Sequence, residues 1–539
     1  MTDSRRTDPP TPTTRRGFLH TVGAVGGAGA AFAAMGALGL APAAASATAP
    51  PFRAPRASDF TLTGRSAASV AVVGAGVAGL TAAYELRKAG YDVTVLDARP
   101  RIGGRSLTVR GGDTLTDTEG VTQRARFAPG QYFNAGPAML PQWSLSTDYC
   151  RELGVPLEVF SVSNTRTFLH DPDAPGEVRA QTARSDAYGV IAELLAKATD
   201  GGALDAQLSA ADKERLLEFL RTTGGIGGRS EGWAYPADPR LRGFAVNPGA
   251  AGSPGVPLPP PGSLDRVFSR QVAYHWLLDS GFDMASTLLQ PVGGMDRITE
   301  ALADRVGRQR IRCGVEVTSI AEGPGGTRVT CRGPAGTGVL DTAYCIVTTP
   351  PLVAAGITGL PAAATALLRT FLPEFPAKIA LEYRRRWWED DFAIYGGITS
   401  YGHDSSLWYP SHDHHSGRGV LVAFVEGAEN TLHRLSPARR TEEMVRRAER
   451  VHGPKARAEL ASSLSVLWGR EPFLESGWQA ADMEHNAVVN SAAFRPLTEP
   501  TGRVLFAGDW LSNTLGWQHG SMASARRAVE RVHARALAG

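Results

Sequence analysis

The chain has 539 residues and a formal net charge of +3, with 43% hydrophobic and 20% charged residues. This is a globular composition, with room for several domains or one large α/β body carrying an insertion. The near-neutral charge gives no electrostatic case for nucleic acid, and the four cysteines, Cys150, Cys313, Cys331 and Cys345, form no C-x-x-C or Cys/His cluster, so no metal site is expected. They read as buried thiols, with one disulfide left open because an exported protein can hold it.

The N-terminus reads as a targeting segment. Thr14-Arg15-Arg16-Gly17-Phe18-Leu19 resembles a twin-arginine export signal. A Gly/Ala-rich apolar run follows from Val22 to Ala41, then Pro42 and the small residues Ala43-Ala44-Ala45-Ser46-Ala47 at A-x-A spacing. Residues 1–47 are therefore expected to be a signal peptide cleaved after Ala47, and residues 48–64 a tether. The apolar run is too weak for an anchor, so the mature protein is expected outside the cytoplasm, secreted or in the periplasm or cell envelope, without stable membrane insertion. Twin-arginine signals serve proteins that fold before crossing, which suits a chain that loads a cofactor first.

Next comes a strand–turn–helix–strand–acid unit. Ser69–Val73 is an apolar run suited to a buried parallel strand. Gly74-Ala75-Gly76-Val77-Ala78-Gly79 fits G-x-G-x-x-G, Leu80–Ala89 has helical character, and Gly90 stops it. Tyr91–Leu96 forms the second strand, closed by Asp97. Gly74 permits the tight turn, Gly76 lets backbone approach a pyrophosphate, and Gly79 allows close helix–strand packing. The helix N-terminus offers free N–H groups and a positive dipole end, and Asp97 can accept from ribose hydroxyls. A dinucleotide site follows from the complete unit.

From Arg101-Ile102-Gly103-Gly104-Arg105 onward the chain resembles the flavin amine oxidase family, and within it the L-amino-acid oxidases. Phe133-Asn134-Ala135-Gly136-Pro137-Ala138-Met139-Leu140-Pro141 is similar to the family's G-P-x-R-x-P loop beside the flavin ring. Pro291–Asp296 resembles its return to the FAD domain, and Val315-Glu316-Val317 its adenine strand. Pro376–Leu381, followed by Trp387-Trp388-Glu389-Asp390, resembles the strand carrying the flavin lysine, here Lys378. Phe506-Ala507-Gly508-Asp509, then Gly516-Trp517-Gln518, resembles the C-terminal flavin motif. The resemblance implies FAD, held by Gly74, Gly76, Gly79, Asp97, Arg99, Gly104, Arg105, Ala138, Met139, Val317, Gly508, Asp509, Trp517 and Gln518. Bottom-up, Arg503–Ala507 reads as a short buried strand with Asp509 just past its end, able to hold a ribityl hydroxyl. A helix over Ser521–Ala534, with its first turn near Trp517, would aim its N-terminal dipole at the flavin pyrimidine carbonyls.

The expected fold is α/β: a discontinuous Rossmann-like FAD-binding domain (65–140, 284–350 and 500–539) with an inserted α+β substrate domain (141–283 and 351–499). Ala210–Arg221 and Gln271–Leu278 carry helical patterns, whereas Gly224–Gly262 is Gly/Pro-rich with little periodicity, a surface excursion or a lid. The implied activity is oxidation of a C–N bond in a small amine or L-amino acid, with dioxygen reduced to hydrogen peroxide and the imine hydrolysed to a carbonyl compound. Ile379, Leu381 and Tyr383 form one strand face, and Lys378 and Ala380 the other, so the lysine can point into a cavity. In the family the matching lysine holds a water at the flavin; Trp517 would wall the substrate slot, and Tyr409 matches a tyrosine that bonds the substrate carboxylate. Met139 departs from the pattern: it occupies the place of the arginine that clamps that carboxylate, so an amine or a masked amino acid competes with the free amino acid as substrate. His412, His414 and His415, around Asp413, read as a solvated cluster without metal spacing, and nothing in the sequence orients His275. A dehydrogenase or desaturase acting on a non-amine, and a flavoprotein without chemistry, are the rival readings; intact Lys378, Trp517 and Asp509 argue against the second. A homodimer and a monomer both stay open.

Overall fold

The structure is a computed structural model that describes residues 53–171, 176–278, 280–402, 405–426 and 431–538. The expected signal peptide lies outside the described residues, as do residues 48–52 of the expected tether. The described part of that tether is not loose. Ala57 and Phe60 are buried in the main core, and the Thr63 carbonyl is 2.9 Å from His533 Nε2. Two buried apolar side chains, invisible as periodicity in so short a stretch, make the difference.

Residues 54–180 and 269–538 form one compact unit, and Gln181–Phe268 belong to another. The first unit contains a five-stranded parallel sheet in the order Ile311–Cys313, Asp92–Asp97, Ser69–Val73, Tyr344–Val347 and Val504–Phe506. Its strands are short and apolar because both faces are covered, as parallel sheets require. Alternation divides the faces. Val70, Val72, Val93, Val95, Ile346 and Leu505 point into a core built with the helices Val77–Lys88, Asp296–Val306 and Gln518–Ala538. Ala71, Val73, Leu96, Cys345, Val347, Val504 and Phe506 point into a second core that includes Val317, Val329 and Trp510. The first helix runs Val77–Lys88, and the last runs Gln518–Ala538, starting beside Trp517 as expected and extending past the expected end at Ala534.

A seven-stranded, mostly antiparallel sheet lies in the same unit. Its order is Glu177–Arg179, Phe168–His170, Ile398–Tyr401, Ser405–Trp408, Gly419–Val425, Ala377–Tyr383 and Leu460–Leu467. The strand Ala377–Tyr383 pairs on both sides and is buried throughout. Ile379, Leu381 and Tyr383 enter one core with Trp387 and Trp388, and Ala380 enters another on the opposite face.

In the second unit the helices Ala180–Asp200 and Ala210–Gly224 share an apolar core of Ala192, Ala196, Leu217, Leu220, Ile226 and Trp233. The aperiodic stretch 224–262 is anchored rather than featureless. It holds the ribbon Phe244–Val246/Val256–Pro257 and sends Arg242 into a buried ion pair with Asp186 at 2.5 Å. The four cysteines are free, with Cys150 and Cys345 buried.

Candidate active site

A cavity of about 770 Å³ opens at the C-terminal end of the parallel sheet. One end is glycine-rich. Gly74, Gly76 and Gly104 line it with Asp97, Arg99, Arg105, Gly508 and Asp509. Gly76 begins the helix Val77–Lys88 and no side chain caps it, so the first-turn amides remain available. A Cβ on Gly76 would meet nothing nearer than Gly104 Cα at 3.9 Å, because the position faces the cavity. Gly79 does not line the cavity. A Cβ there would sit 1.9 Å from the Gly74 carbonyl oxygen, so Gly79 serves the turn itself.

Charge at this end is arranged around fixed partners. Both Asp97 oxygens accept backbone amides, from Ala75 at 2.7 Å and Arg99 at 2.9 Å. Buried Arg99 donates through Nη2 to the Gly104 carbonyl at 2.6 Å, while its Nη1 has no hydrogen-bond acceptor. Burial lowers its pKa against the pull of Asp97 and Glu471. Arg105 does not stand free: it pairs bidentately with the buried Asp509 carboxylate and donates to the Gly477 carbonyl at 2.8 Å. Asp509 also accepts from the Gly516 amide at 3.1 Å. The sequence pointed to both residues separately but not to their union across 404 positions.

The other end is apolar and aromatic. Ala138 and Met139 line it from the loop after Asn134, and Val317 lines the cavity from the strand Glu316–Gly323. Trp517 and Gln518 face the cavity at the start of the C-terminal helix, with Gln518 Nε2 donating to Ser106 Oγ at 2.7 Å. Lys378 is 4% exposed. Its ammonium donates to the Gly136 carbonyl at 2.5 Å and lies 4.5 Å above the Trp408 ring. Desolvation lowers its pKa to about 7, and Glu426 opposes the shift. A Cβ on Gly136 would stand 1.8 Å from the Arg105 carbonyl oxygen, so this loop lies directly on the arginine segment.

Tyr409 does not join them. It is buried outside the cavity, with its hydroxyl 2.8 Å from Thr399 Oγ1 and 2.6 Å from His452 Nε2. Burial pushes His452 down to about 3, so this is a neutral pair inside the core. The reason is strand parity. Ser406 and Trp408 face the cavity, and Leu407 and Tyr409 the core. Trp408 thus occupies the wall where the sequence reading put its neighbour. Sequence reasoning also missed Tyr274, Phe424, Glu426 and Trp468, which line the cavity from separate elements. Of these only Phe424 lies on a strand, whose alternation marks an inward face without saying which interior it meets; Tyr274 is on a helix, Trp468 in a helical turn and Glu426 just past a strand end. His275 is buried but not in the cavity wall, although Tyr274 and Leu278 are. His412 is less solvated than expected, since its ring stacks on Tyr132 at 4.6 Å, whereas His414 and His415 are exposed. Among the described residues no cluster of His, Cys, Asp or Glu could hold a metal ion.

The cavity suits a dinucleotide. Arg99 Nη1 is a buried donor without an acceptor, and Thr349 Oγ1 and Gln518 Oε1 are buried polar atoms without partners. They border a glycine cradle and an uncapped helix N-terminus, a donor set for a pyrophosphate and a polar ring edge.

The comparisons agree with that chemistry. Residues 77–533 match the family described as "Flavin containing amine oxidoreductase", and residues 25–120 match "Pyridine nucleotide-disulphide oxidoreductase". An L-amino-acid oxidase of Bothrops pauloensis is 26% identical over 478 residues, covering 86% of this chain and 89% of that protein. One from Protobothrops flavoviridis is 27% identical over 481 residues, covering 86% and 88%. Cyclohexylamine oxidase from Brevibacterium oxydans IH-35A shares the fold with a TM-score of 0.58 at 16% identity, over 87% of this chain and 99% of that one. Wild-type putrescine oxidase bound to putrescine does so with a TM-score of 0.56 at 19% identity, over 88% and 99%. The chain belongs to the flavin-containing amine oxidoreductase family, and its cofactor is FAD.

Proposed function

We propose that this protein is an oxidase that breaks C–H and N–H bonds of a small amine without a free carboxylate, giving an imine and, after hydrolysis, a carbonyl compound and ammonia or a smaller amine. FAD, when bound, accepts the hydride equivalent and delivers two electrons to dioxygen, which leaves as hydrogen peroxide. Gly76, Asp97, Arg99, Gly104, Val317 and Gly508 hold the dinucleotide, and Arg105 and Asp509 fix its flavin end. Trp517, Trp408 and Met139 shape a dry slot that orients the amine. Lys378 holds a water, and with a pKa of about 7 it can exchange a proton near neutral pH.

The observation that carries the reading is the distribution of cations. Arg99, Arg105 and Lys378 are the basic residues lining the cavity among those described. Arg99 and Arg105 belong to the glycine-rich end, and Arg105 is already paired. A substrate α-carboxylate would meet Met139 where a guanidinium is needed, and an unpaired buried charge costs several kcal/mol. Only Lys378 remains, and its ammonium is committed to the Gly136 carbonyl.

The test is anaerobic bleaching of the flavin by a panel of amines, amino acids and amino-acid amides, followed by peroxide release in air. Bleaching by amines and amides ahead of free amino acids is expected. Bleaching only by non-amines would replace the reading with a dehydrogenase or desaturase, and no bleaching by any compound would leave a flavoprotein without this chemistry. We also propose that residues 1–47 direct export by the twin-arginine route, on the strength of Arg15-Arg16 and the apolar run behind them.

A further inference from the structure

The cavity has a second ionisable group at its substrate end, opposite in sign to Lys378. Glu426 follows the strand Gly419–Val425 directly. That strand pairs Phe424 with Lys378, and Phe424 and Glu426, two residues apart, both line the cavity. Lys378 is at the closed end, 4% exposed. Glu426 is exposed, and Tyr274, which also lines the cavity, is 54% exposed, so these two mark the open end.

Among the carboxylates of this cavity, Glu426 alone combines placement and availability. Asp97 and Asp509 are consumed by backbone amides and by Arg105. Glu316 pairs with Arg332 at 2.6 Å. Glu475 lies two residues before Gly477, on the segment that meets Arg105 at the glycine-rich end. No lysine or arginine among the described residues forms an ion pair with Glu426, although its charge reaches both Lys378, where it opposes the lowering by burial, and Tyr274, where it adds to the rise that burial causes. The surrounding protein desolvates its carboxyl and pushes its own pKa up, with the negative charge of Glu374 adding to the shift. A cation brought to this position would stabilise the ionised carboxylate against both effects.

We propose that Glu426, with Tyr274 lining the same cavity, selects amines that carry a second positive charge several carbons from the C–N bond being oxidised. This rests on the amine-oxidase reading. The reacting amine sits at the closed end among Lys378, Trp408 and Trp517. The far end of an extended substrate then reaches the mouth, where a carboxylate and an aromatic face both attract an ammonium group. A carboxylate at that far end is repelled. The site therefore favours a diamine over a monoamine, and a monoamine over an ω-amino acid.

Three length-matched substrates, cadaverine, n-pentylamine and δ-aminovalerate, test this on the FAD-loaded protein. Cadaverine should exceed n-pentylamine in kcat/KM by at least about tenfold, about 1.4 kcal/mol, with δ-aminovalerate the poorest. The cadaverine advantage should shrink as ionic strength rises. In Glu426→Gln the cadaverine-to-pentylamine ratio should fall towards one, and Glu426→Lys should invert the order. Calorimetry with non-oxidisable analogues, in which each amine-bearing carbon carries two methyl groups and so no hydrogen, reads the same preference without turnover and without a variant. Turnover of all amines with no charge preference would overturn the role of Glu426 and leave the amine-oxidase reading intact. Tighter binding of the methylated diamine with no turnover of any amine would do the reverse. A cadaverine preference that survives Glu426→Gln would also overturn the proposal.

Discussion

Lys378 is a lysine whose environment opposes its charge, and that sets a measurable pH dependence. Its pKa falls from 10.5 to about 7 through burial. Each unit is worth about 1.4 kcal/mol, so the shift amounts to on the order of 5 kcal/mol against the protonated form. The sign follows from proton counting. Below pH 7 the lysine is charged in the folded and unfolded states alike, and the folded protein bears the whole cost of burial. Between about pH 7 and 10.5 the unfolded chain keeps a proton that the folded protein has released, so this residue's contribution to stability rises with pH. Lys378→Met removes the titration. The stability of the variant relative to wild type should therefore be greatest near pH 6 and should fall by about 2–3 kcal/mol between pH 7 and 9. Loss of the bond to the Gly136 carbonyl shifts both ends of that comparison equally. Denaturant unfolding of the FAD-loaded proteins at a series of pH values measures it, since the change in the difference, and not the difference itself, carries the argument. A variant-minus-wild-type difference that stays flat from pH 6 to 9 would refute a desolvated Lys378. The same ionisation should appear as an inflection near pH 7 in flavin reoxidation by dioxygen, absent from Lys378→Met.

Gly76→Val should fold but purify without yellow colour, because its side chain projects into the cavity, whereas Gly79→Val should fail to fold against the Gly74 carbonyl; circular dichroism and the flavin spectrum separate the two, and a yellow Gly76→Val protein would contradict the cradle. Met139→Arg should move kcat/KM towards free amino acids over their amides by about tenfold or more, the value of one charge-assisted pair, as read from steady-state kinetics on matched substrates; a wild type that already prefers the free acid would show that another cation binds it. Tyr409→Phe should cost about 1–3 kcal/mol of stability by leaving buried His452 and Thr399 short of a partner, while kcat/KM changes little; a large kinetic defect without loss of stability would return Tyr409 to the active site. Replacing Arg15 and Arg16 with lysine should retain the protein in the cytoplasm, as measured by fractionation, and continued export would rule out the twin-arginine route.

The sequence made the local units of the fold readable where one rule governs a contiguous stretch. The strand Ser69–Val73 is apolar because both faces are covered, and the helix after Gly76 carries its own turn chemistry. Parity within Ala377–Tyr383 was also legible, since Lys378 and Ile379 must point in opposite directions. What could not be read was which interior an alternating strand faces. The Trp408–Tyr409 pair shows the cost: both are large, apolar and inward, and only the pairing with Gly419–Val425 settles which one reaches the cavity. The union of Arg105 with Asp509 was hidden for a related reason, because no local pattern encodes a contact between chain segments so far apart. Glu426 carried no signal at all, as a lone acid after an apolar strand.

The helix Gln518–Ala538 packs on the helix Val77–Lys88, far upstream in the chain, and its first residue Gln518, with Trp517 just before it, lines the cavity. During synthesis the glycine turn therefore emerges long before its partner exists. Until residues 503–538 are available, the nascent protein has a half-built cradle, with an apolar helix face open and Arg105 lacking its counter-charge. Cofactor capture must accordingly wait until the helix Gln518–Ala538 has been made and packed. Early termination within the last twenty or so residues should yield a polypeptide that cannot retain flavin, however complete the rest of its sheets.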